Sequence, residues 1–247
     1  MKRLPGIAAF LASLLLAFPA AAQDPAAERI KAELKKKIGE ATVDSVRKVP
    51  YGGLYEVTVG SEIFYTDEKA TFLLLGSLVD TRTRENITEA RMRQLNRVAF
   101  DSLPLDSAVK IARGNGSRRV AVFADPNCGY CKRFERDLIG VNDITVYLFL
   151  YPILSPDSVQ KSKAVWCAPD RGKAWLDYMV RDMAVPVETT CATPIDKILE
   201  FGKSKRIQGT PTIFFEDGER VPGAIPLADF EKRLAAAKAP APRASAK

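Results

Sequence analysis

The sequence predicts a mixed α+β and α/β protein, with a small N-terminal sheet domain, a linker helix and a C-terminal α/β domain that contains a helical insert. Three observations predict this fold class. Short apolar runs between glycine-containing turns fill residues 43–79. Apolar residues recur at helical spacing over residues 86–100. From residue 105 onward, β-prone runs alternate with helical blocks, as in an α/β domain.

The 247 residues divide into five predicted segments. They are a secretory signal peptide over 1–22, an N-terminal domain over 23–83, the linker helix over 84–103, the C-terminal domain over 104–238 and a disordered tail over 239–247. We assign no function to the tail.

The first segment has the pattern of a secretory signal peptide. Lys2 and Arg3 give it a positive start, and the apolar run over 7–18 is too short to span a bilayer well. Residues 20–22 are all alanine and form a small-residue cleavage site, so we expect cleavage near Ala22/Gln23. The alternative is a retained membrane anchor, which is disfavoured because no stop-transfer pattern follows.

The N-terminal domain is predicted to contain a short amphipathic helix and four strands. The helix covers 28–38, and the strands cover 43–49, 54–59, 62–66 and 71–79. These strands hold many apolar residues for one half-buried sheet, namely Val57, Val59, Ile63, Phe64, Phe72, Leu73, Leu74 and Leu75. Either all of them pack inside, or some face a second copy of the chain. We favour the second interpretation, a homodimer.

The linker helix is predicted over residues 86–100. Asn86 followed by Glu89 resembles a capping box at its start. Ile87, Met92 and Leu95 recur at helical spacing. The alternative to a spacer is an ordinary core-packing helix of the C-terminal domain.

The C-terminal domain is predicted to alternate strands with helices. Strands are expected over 109–112, 119–124, 144–151, 212–215 and 220–221, with a hairpin turn at Asp217-Gly218. Helices are expected over 132–138, 158–167, 172–183 and 227–238, and another is expected to start at Thr193-Pro194, with Thr193 as its cap.

The motif Cys128-Gly129-Tyr130-Cys131 stands where a strand gives way to a helix. A thiol at the first turn of a helix faces unpaired N–H groups and the positive end of the helix dipole, which favour the thiolate. Cys128 should therefore have a lowered pKa and attack disulfides readily. Cys131 lies one turn further along, where it could attack the sulfur of Cys128 and release a bound partner.

The chain contains four cysteines and no histidine. Four cysteines allow three pairings, of which a redox pair plus a separate structural bridge is the simplest. Export would place them in an oxidising compartment. An all-thiolate zinc site is disfavoured because only one pair is short-spaced, and the missing histidine excludes Ser/Cys–His–Asp hydrolysis. We expect no metal and no cofactor.

The charge distribution disfavours nucleic acid as a partner. The formal net charge is +7, but lysine and arginine residues are scattered among acids, as over residues 133–137. That pattern is typical of a solvated surface rather than of a stripe that follows phosphates.

A second motif, Gly209-Thr210-Pro211-Thr212, precedes the strand over 212–215. Together with the upstream strand, CxxC motif and helix, it resembles the thioredoxin fold. The resemblance implies a cis-proline loop against the active-site cysteines, with the backbone of Thr210 open to an extended substrate strand. We expect Gly129, Tyr130, Thr210 and Pro211 to contact the substrate.

The whole predicted mature chain resembles the DsbC/DsbG family of periplasmic thiol:disulfide interchange proteins. The order of segments, the run at 209–211, Asp217-Gly218 and Val221-Pro222-Gly223 carry the resemblance. Gly129-Tyr130 favours the DsbC pattern, because DsbG would be expected to have proline before the tyrosine. The family implies a V-shaped homodimer joined through the N-terminal domains, with an apolar cleft between its two redox sites.

The resemblance also implies the remaining functional expectations. The family's structural disulfide carries over to Cys167 and Cys191, and the membrane reductase DsbD is expected to keep Cys128 and Cys131 reduced. The expected function is a periplasmic disulfide isomerase or reductase that acts on misfolded disulfide-containing exported proteins, with chaperone-like binding. The alternatives are a DsbG-like holdase or thiol reductase and a DsbA-like oxidase.

One position departs from thioredoxin itself. The buried aspartate that thioredoxin carries before its CxxC motif corresponds here to Val122. Asp125 lies closer to Cys128, and we assign it no proton-transfer role, since a turn or helix-entry role is an open alternative.

Overall fold

The computed structural model describes residues 24–39, 42–60, 62–185 and 190–237. The predicted signal peptide, its cleavage site near Ala22/Gln23 and the predicted tail over 239–247 lie outside the described residues. Within the described ranges, no helix has the length and apolar character needed to cross a membrane. The chain divides into two compact units after Leu78, and the five-segment division remains a prediction.

The first unit packs one helix against a small sheet. Helix α1 spans Pro25–Ile38, and it starts before the predicted position because the Asp24 carboxylate caps it by accepting from the Ala26 N–H at 2.9 Å. Ile30 and Leu34 are buried against Tyr55 and Val57 of the sheet. The helix is amphipathic, and this apolar contact holds it on the sheet.

The sheet of the first unit contains strands β1 (Ser45–Lys48), β2 (Tyr55–Val59), β3 (Glu62–Thr66) and β4 (Leu74–Leu75). They pair antiparallel in the order β1-β2-β3-β4. The predicted long strand over 71–79 is wrong. Thr71 instead donates from its N–H and its hydroxyl to the Asp67 carboxylate, which holds a turn there.

The apolar residues of this sheet divide by exposure. Val57 and Ile63 are buried, whereas Phe72, Leu74 and Leu75 are 45%, 44% and 72% exposed. The short strand β4 therefore presents an apolar edge within the first unit. Clustered exposed apolar side chains of this kind are typical of an interaction surface.

The second unit begins with a two-stranded ribbon, β5 (Val79–Asp80) and β6 (Glu85–Asn86), followed by helix α2 (Ile87–Leu95). The predicted cap is correct, since the Asn86 side chain accepts from the Glu89 N–H at 3.0 Å. The helix is shorter than predicted. After it, Val98 donates to the carbonyl of Gly218 and Phe100 is buried in a 3₁₀ turn, Phe100–Ser102.

The core of the second unit is a five-stranded sheet. Its strands are β7 (Val109–Arg113), β8 (Arg118–Ala124), β9 (Ile144–Leu150), β10 (Thr212–Phe215) and β11 (Arg220–Pro222), in the order β11-β10-β8-β9-β7. Only β8 and β9 pair in parallel among these described strands.

Five helices surround this sheet. They are α3 (Gly129–Leu138), α4 (Pro156–Cys167), α5 (Arg171–Arg181), α6 (Ile195–Ser204) and α7 (Leu227–Ala237). The expectation that Thr193 caps α6 is wrong, because the residue before Ile195 is Pro194 and no side chain caps that end. Helices α4, α5 and α6 lie between β9 and β10, in the place of the predicted helical insert.

The central strand β8 is buried on both faces. Val120 and Val122 pack with Phe134 and Phe230 on one side, and Phe123 packs with Ile198 on the other. Each such side chain contributes about 1.5–3 kcal/mol when fully buried. This layered core fixes the end of β8, and with it the turn that leads into α3.

Candidate active site

The CxxC motif lies at the turn from β8 to α3. Cys128 is the N-cap residue of α3, and its Sγ accepts from the Cys131 N–H at 3.2 Å. The Cys128 N–H donates to the Asp125 carbonyl at 3.1 Å. The first thiol thus lies at the positive end of the helix, as the sequence predicted.

The loop before β10 lies against this thiol. The peptide bond between Thr210 and Pro211 is cis. The Thr210 carbonyl lies 3.2 Å from the Sγ of Cys128, which donates to it as a thiol. The two motifs, 82 residues apart in sequence, therefore form one site.

Exposure differs strongly across the motif. Cys128 is 5% exposed and Cys131 is 1% exposed, whereas Tyr130 is 71% exposed. Gly129 is also exposed. The two middle residues therefore form the outer surface beside Cys128, while Cys131 lies beneath it.

The two thiols have opposite electrostatic environments. The pKa of Cys128 is lowered to about 6, mainly by a hydrogen bond from the Cys131 thiol. The Thr210 side chain and the N–H groups of Cys131 and Tyr130 lower it further, although burial opposes this shift. Burial is also the main cause that raises the pKa of Cys131, followed by its hydrogen bond to Cys128. At neutral pH Cys128 is mainly thiolate and Cys131 is thiol.

The Thr210 hydroxyl was not singled out by the sequence reasoning, which considered only the backbone of this residue. Its Oγ1 is buried and has no conventional hydrogen-bond partner in the described part of the chain. It remains available as a donor to sulfur, and it lowers the pKa of both cysteines.

Asp125 has a structural role. Its carboxylate is fully buried and accepts from the N–H groups of Asn127, Ile153 and Leu154 and from the Ser158 hydroxyl, at 2.7 to 2.9 Å. These donors fill its acceptor positions, so it clamps the turn before Cys128 to the segment after β9. Val122, at the thioredoxin aspartate position, is fully buried in the core.

Sequence reasoning missed the residues that connect the motif to the helical insert. Asn127 donates to Asp157 at 2.7 Å and accepts from Lys161 Nζ at 2.7 Å. The Lys132 and Lys161 Nζ atoms lie 4.6 Å and 5.3 Å from the centroid of the Tyr178 ring. The position of Asn127 directly before the motif was the one available signal.

Glu135 is a second residue that sequence reasoning missed. It lies on α3, is 1% exposed, and accepts from the Trp175 indole N–H at 2.8 Å. Burial raises its pKa. Its other carboxyl oxygen has no partner within the described residues.

The other two cysteines form a disulfide. The sulfurs of Cys167 and Cys191 are bonded at 2.04 Å, with their Cα atoms 5.6 Å apart. The bond joins the end of α4 to the segment before α6. In the described ranges, no group of three or more metal-binding side chains is placed to hold an ion, and the two bridged cysteines are unavailable as thiolate ligands for the alternative zinc site.

Two family models match the chain. A thioredoxin-like domain matches residues 105–238, and a disulfide bond isomerase protein N-terminal domain matches residues 19–89. These matches cover both units of the fold.

Several curated relatives are named as thiol:disulfide interchange proteins. The chain is 47% identical over 215 residues to the probable thiol:disulfide interchange protein DsbC of Bordetella pertussis, which covers 87% of this chain and 76% of the relative. It is 26% identical to the thiol:disulfide interchange protein DsbC of Escherichia coli K12, over 91% of this chain and 93% of the relative.

One solved structure supports the same likeness. It is a disulfide interchange protein from Neisseria gonorrhoeae, with 39% sequence identity and a TM-score of 0.53. The match covers 55% of this chain and 99% of that protein's chain.

Proposed function

Because the chain belongs to the DsbC family of thiol:disulfide interchange proteins, we propose that it is a periplasmic disulfide isomerase that uses Cys128 as nucleophile and Cys131 as resolving thiol. It reshuffles incorrect disulfides in misfolded exported proteins. It also acts as a reductase when reshuffling stalls.

The observation that carries this proposal is the state of the Cys128 sulfur. Its pKa of about 6 makes it mainly thiolate at neutral pH. The attacking thiol reacts best when its pKa is near the ambient pH, because thiolate fraction and intrinsic nucleophilicity are then both high. Its position beside the exposed residues 129 and 130 gives an incoming disulfide a route to the sulfur.

The first reaction step is attack of the Cys128 thiolate on one sulfur of a substrate disulfide. The Cys128–substrate S–S bond forms, the substrate S–S bond breaks, and the second substrate sulfur leaves as thiolate. A different substrate thiolate then attacks the substrate sulfur of the mixed disulfide. This forms a new substrate disulfide and returns Cys128 as thiolate, with no net oxidation.

The escape step uses Cys131. Its thiol loses a proton, its sulfur attacks Cys128, and the substrate leaves as a thiolate while the enzyme becomes oxidised. Burial of Cys131 raises its pKa and so disfavours the thiolate that this step needs, which gives substrate thiols time to rearrange first. Reduction by the membrane protein DsbD would then restore the dithiol.

The substrate lies along the loop that holds Thr210 and Pro211. The Thr210 N–H donates to no acceptor in the described part of the chain, so it is open to an extended peptide strand. Such strand addition gives affinity through backbone hydrogen bonds with little demand on substrate sequence. Gly129 and Tyr130 contribute the opposite side of the contact surface.

We further propose that the protein is a homodimer joined through its N-terminal domain. The exposed side chains of Phe72, Leu74 and Leu75 support this, because burying them against a second copy removes apolar surface from water. Light scattering on the mature chain should give the dimer mass, and Leu74→Glu together with Leu75→Glu should give the monomer. A wild-type monomer would contradict this assignment.

The catalytic assignment is tested by refolding of scrambled ribonuclease. Cys128→Ser should abolish isomerase activity, whereas Cys131→Ser should retain part of it and accumulate covalent complexes with substrate. These complexes should run as larger species on non-reducing gels and disappear with reductant. Rescue of scrambled ribonuclease by Cys128→Ser would show that the nucleophile is assigned wrongly.

A second candidate function is a DsbG-like holdase, which the same exposed apolar edge favours. Suppression of aggregation of an unfolded protein that lacks cysteine separates the two functions. If the double variant Cys128→Ser, Cys131→Ser suppresses aggregation fully and the wild type has negligible isomerase activity, binding is the main function. The isomerase proposal instead expects strong isomerase activity in the wild type.

A further inference from the structure

A groove of about 440 Å³ opens beside the loop that carries Thr210 and Pro211. Ile153, Leu199 and Ile207 give it an apolar lining. Lys203 and Arg206 lie among its lining residues and are exposed to solvent. The groove therefore combines an apolar surface with a positive rim.

Both walls of the groove lead to the nucleophile. On one wall, Gln208 stands two residues before Thr210, whose carbonyl is 3.2 Å from Cys128 Sγ. On the other wall, the Ile153 N–H donates to the Asp125 carboxylate at 2.8 Å, and the Asp125 carbonyl accepts from the Cys128 N–H at 3.1 Å. Both walls therefore belong to segments that contact Cys128 or the turn before it.

The positive rim is not neutralised by nearby acids, and the backbone of its turn is held in place. Neither Lys203 nor Arg206 forms an ion pair within the described residues, and no carboxylate lines the groove. Arg206 adopts φ 52°, and its turn is held by its N–H to the Lys203 carbonyl and by the Arg220 guanidinium, which donates to the Arg206 carbonyl at 2.9 Å. The backbone of the turn thus keeps its shape without a ligand, which reduces the backbone entropy lost on binding.

We propose that this groove is a substrate subsite that selects an extended segment with an apolar side chain and a carboxylate side chain close to the reacting cysteine. The inference rests on the proposed function and adds a preference to it. The apolar side chain packs against Ile153, Leu199 and Ile207. The carboxylate meets Lys203 and Arg206.

The spacing defines which substrate positions are read. Gln208 and Thr210 are two residues apart, a reach of at most about 7 Å along the chain. An extended substrate rises about 3.3 Å per residue and turns alternate side chains to the same side. The selected side chains therefore lie about two to four residues from the substrate cysteine.

The test uses the reduced mature protein and three matched peptides, each held in a mixed disulfide. The peptides differ only in a residue near the cysteine, which is glutamate, glutamine or lysine, and which lies two residues from a constant leucine so that both side chains face the same side. The rate of attack by Cys128 is measured at low and high salt. We expect the glutamate peptide to react about 5-fold faster than the lysine peptide at low salt, with less difference at high salt.

The variant pair is Lys203→Gln with Arg206→Gln, and the matched control is Lys197→Gln, which lies exposed on the same helix but outside the groove. The double variant should lose the preference for glutamate, and the control should keep it. Replacing the constant leucine of the peptide by serine should slow the wild type. Attack on neutral 2-hydroxyethyl disulfide should be the same for all three proteins, which also shows that they are folded.

The outcomes separate this subsite from the proposed function. Equal rates with the three peptides, while 2-hydroxyethyl disulfide is still attacked, would overturn the subsite and leave the exchange activity standing. No attack on any disulfide by the wild type would overturn the proposed function itself. Loss of the preference in Lys197→Gln as well would trace the effect to general surface charge and overturn the subsite.

Discussion

The two cysteine pairs of the second unit have the same atoms and opposite chemistry. Cys128 and Cys131 lie within one turn of α3 and are free thiols. Cys167 and Cys191 are joined, and the bond closes a chain segment with a sequence separation of 24. The position of a cysteine pair in the fold therefore decides whether it exchanges disulfides or only bridges two segments of the chain.

The physical difference lies in what stabilises the thiolate. Cys128 has a helix N-terminus, the Cys131 hydrogen bond and the Thr210 hydroxyl around it, so reduction leaves a stabilised anion. Cys167 lies at the opposite end of its helix, where the dipole disfavours a negative charge. The first pair is therefore predicted to be the more oxidising of the two, and the second the harder to reduce.

The largest expected effect is the difference in exchange activity between a variant of the reactive pair and a variant of the bridge. Cys128→Ser should lower the rate of disulfide exchange at least about 1,000-fold, because the nucleophile is lost. The variant Cys167→Ala, Cys191→Ala should exchange disulfides within about 2-fold of the wild type per folded molecule. The rates are measured on a fluorescent mixed disulfide below the unfolding temperature. Comparable losses in the two variants would show that the two cysteine pairs do not differ in reactivity.

The next effect concerns stability. Removing the Cys167–Cys191 bond should lower the free energy of unfolding by about 3–4 kcal/mol, since the loop it closes is then free in the unfolded chain. Cys131→Ala should change it far less. Urea denaturation of both variants under reducing conditions for the CxxC motif measures the difference. A bridge variant as stable as the wild type would show that the bond has no constraining role.

The pH dependence of alkylation tests the reactive pair, Cys128 and Cys131. Alkylation of Cys128 by iodoacetamide should rise with pH around a midpoint near 6 and level off above it, because the thiolate is the reacting form. A midpoint above about 8 would mean an ordinary thiol. Cys131→Ala should move the midpoint upward, since its hydrogen bond is the main cause of the low pKa.

The same shift affects stability with a defined sign. The pKa of Cys128 is depressed from 9.0 to about 6 in the folded protein, so its stabilising contribution is complete above pH 9 and is lost as the pH falls through 6. As the pH rises from 6 to 9, the free energy of unfolding of the reduced wild type should therefore increase relative to that of Cys128→Ala. Parallel urea titrations at several pH values check this, and a difference that shrinks as the pH rises would contradict it.

The smallest predicted effect tests the clamp beneath the motif. Asp125→Asn should lower the free energy of unfolding by about 1–3 kcal/mol, because an amide N–H₂ then faces the Ile153 and Leu154 N–H groups. Ser158→Ala removes a single donor to the same carboxylate and should cost about 1 kcal/mol. If Asp125→Asn is as stable as Ser158→Ala, the clamp is not specific for the carboxylate.

Sequence reasoning predicted the parts of the molecule that local chemistry determines. The β8–α3 turn with Cys128, the hairpin at Asp217-Gly218 and the Asn86 cap each follow from residues adjacent in the chain. The strand over 71–79 failed because Thr71 and Asp67 form a turn that outweighs the β-prone run. The predicted length of α2 was wrong because the Val98 N–H donates to the carbonyl of Gly218, which is distant in sequence, instead of continuing the helix.

The candidate site was predictable only as far as its motifs. The two cysteines and the Thr210-Pro211 pair are visible in the sequence, and the fold brings them within contact distance. The clamp by Asp125, the Asn127 contacts and the groove beside Arg206 depend on segments that are far apart in the chain. No local periodicity reports such contacts, so they required the tertiary structure.

The chain contains two tryptophans, and each is associated with one cysteine pair. Trp166 precedes Cys167 and its indole donates to the Ala192 carbonyl, next to Cys191. Trp175 donates to Glu135 on the helix that carries Cys131. Their intrinsic fluorescence therefore offers two separate optical readouts, so that Trp166→Phe leaves an emission that follows the reactive centre and Trp175→Phe leaves one that follows the bridge.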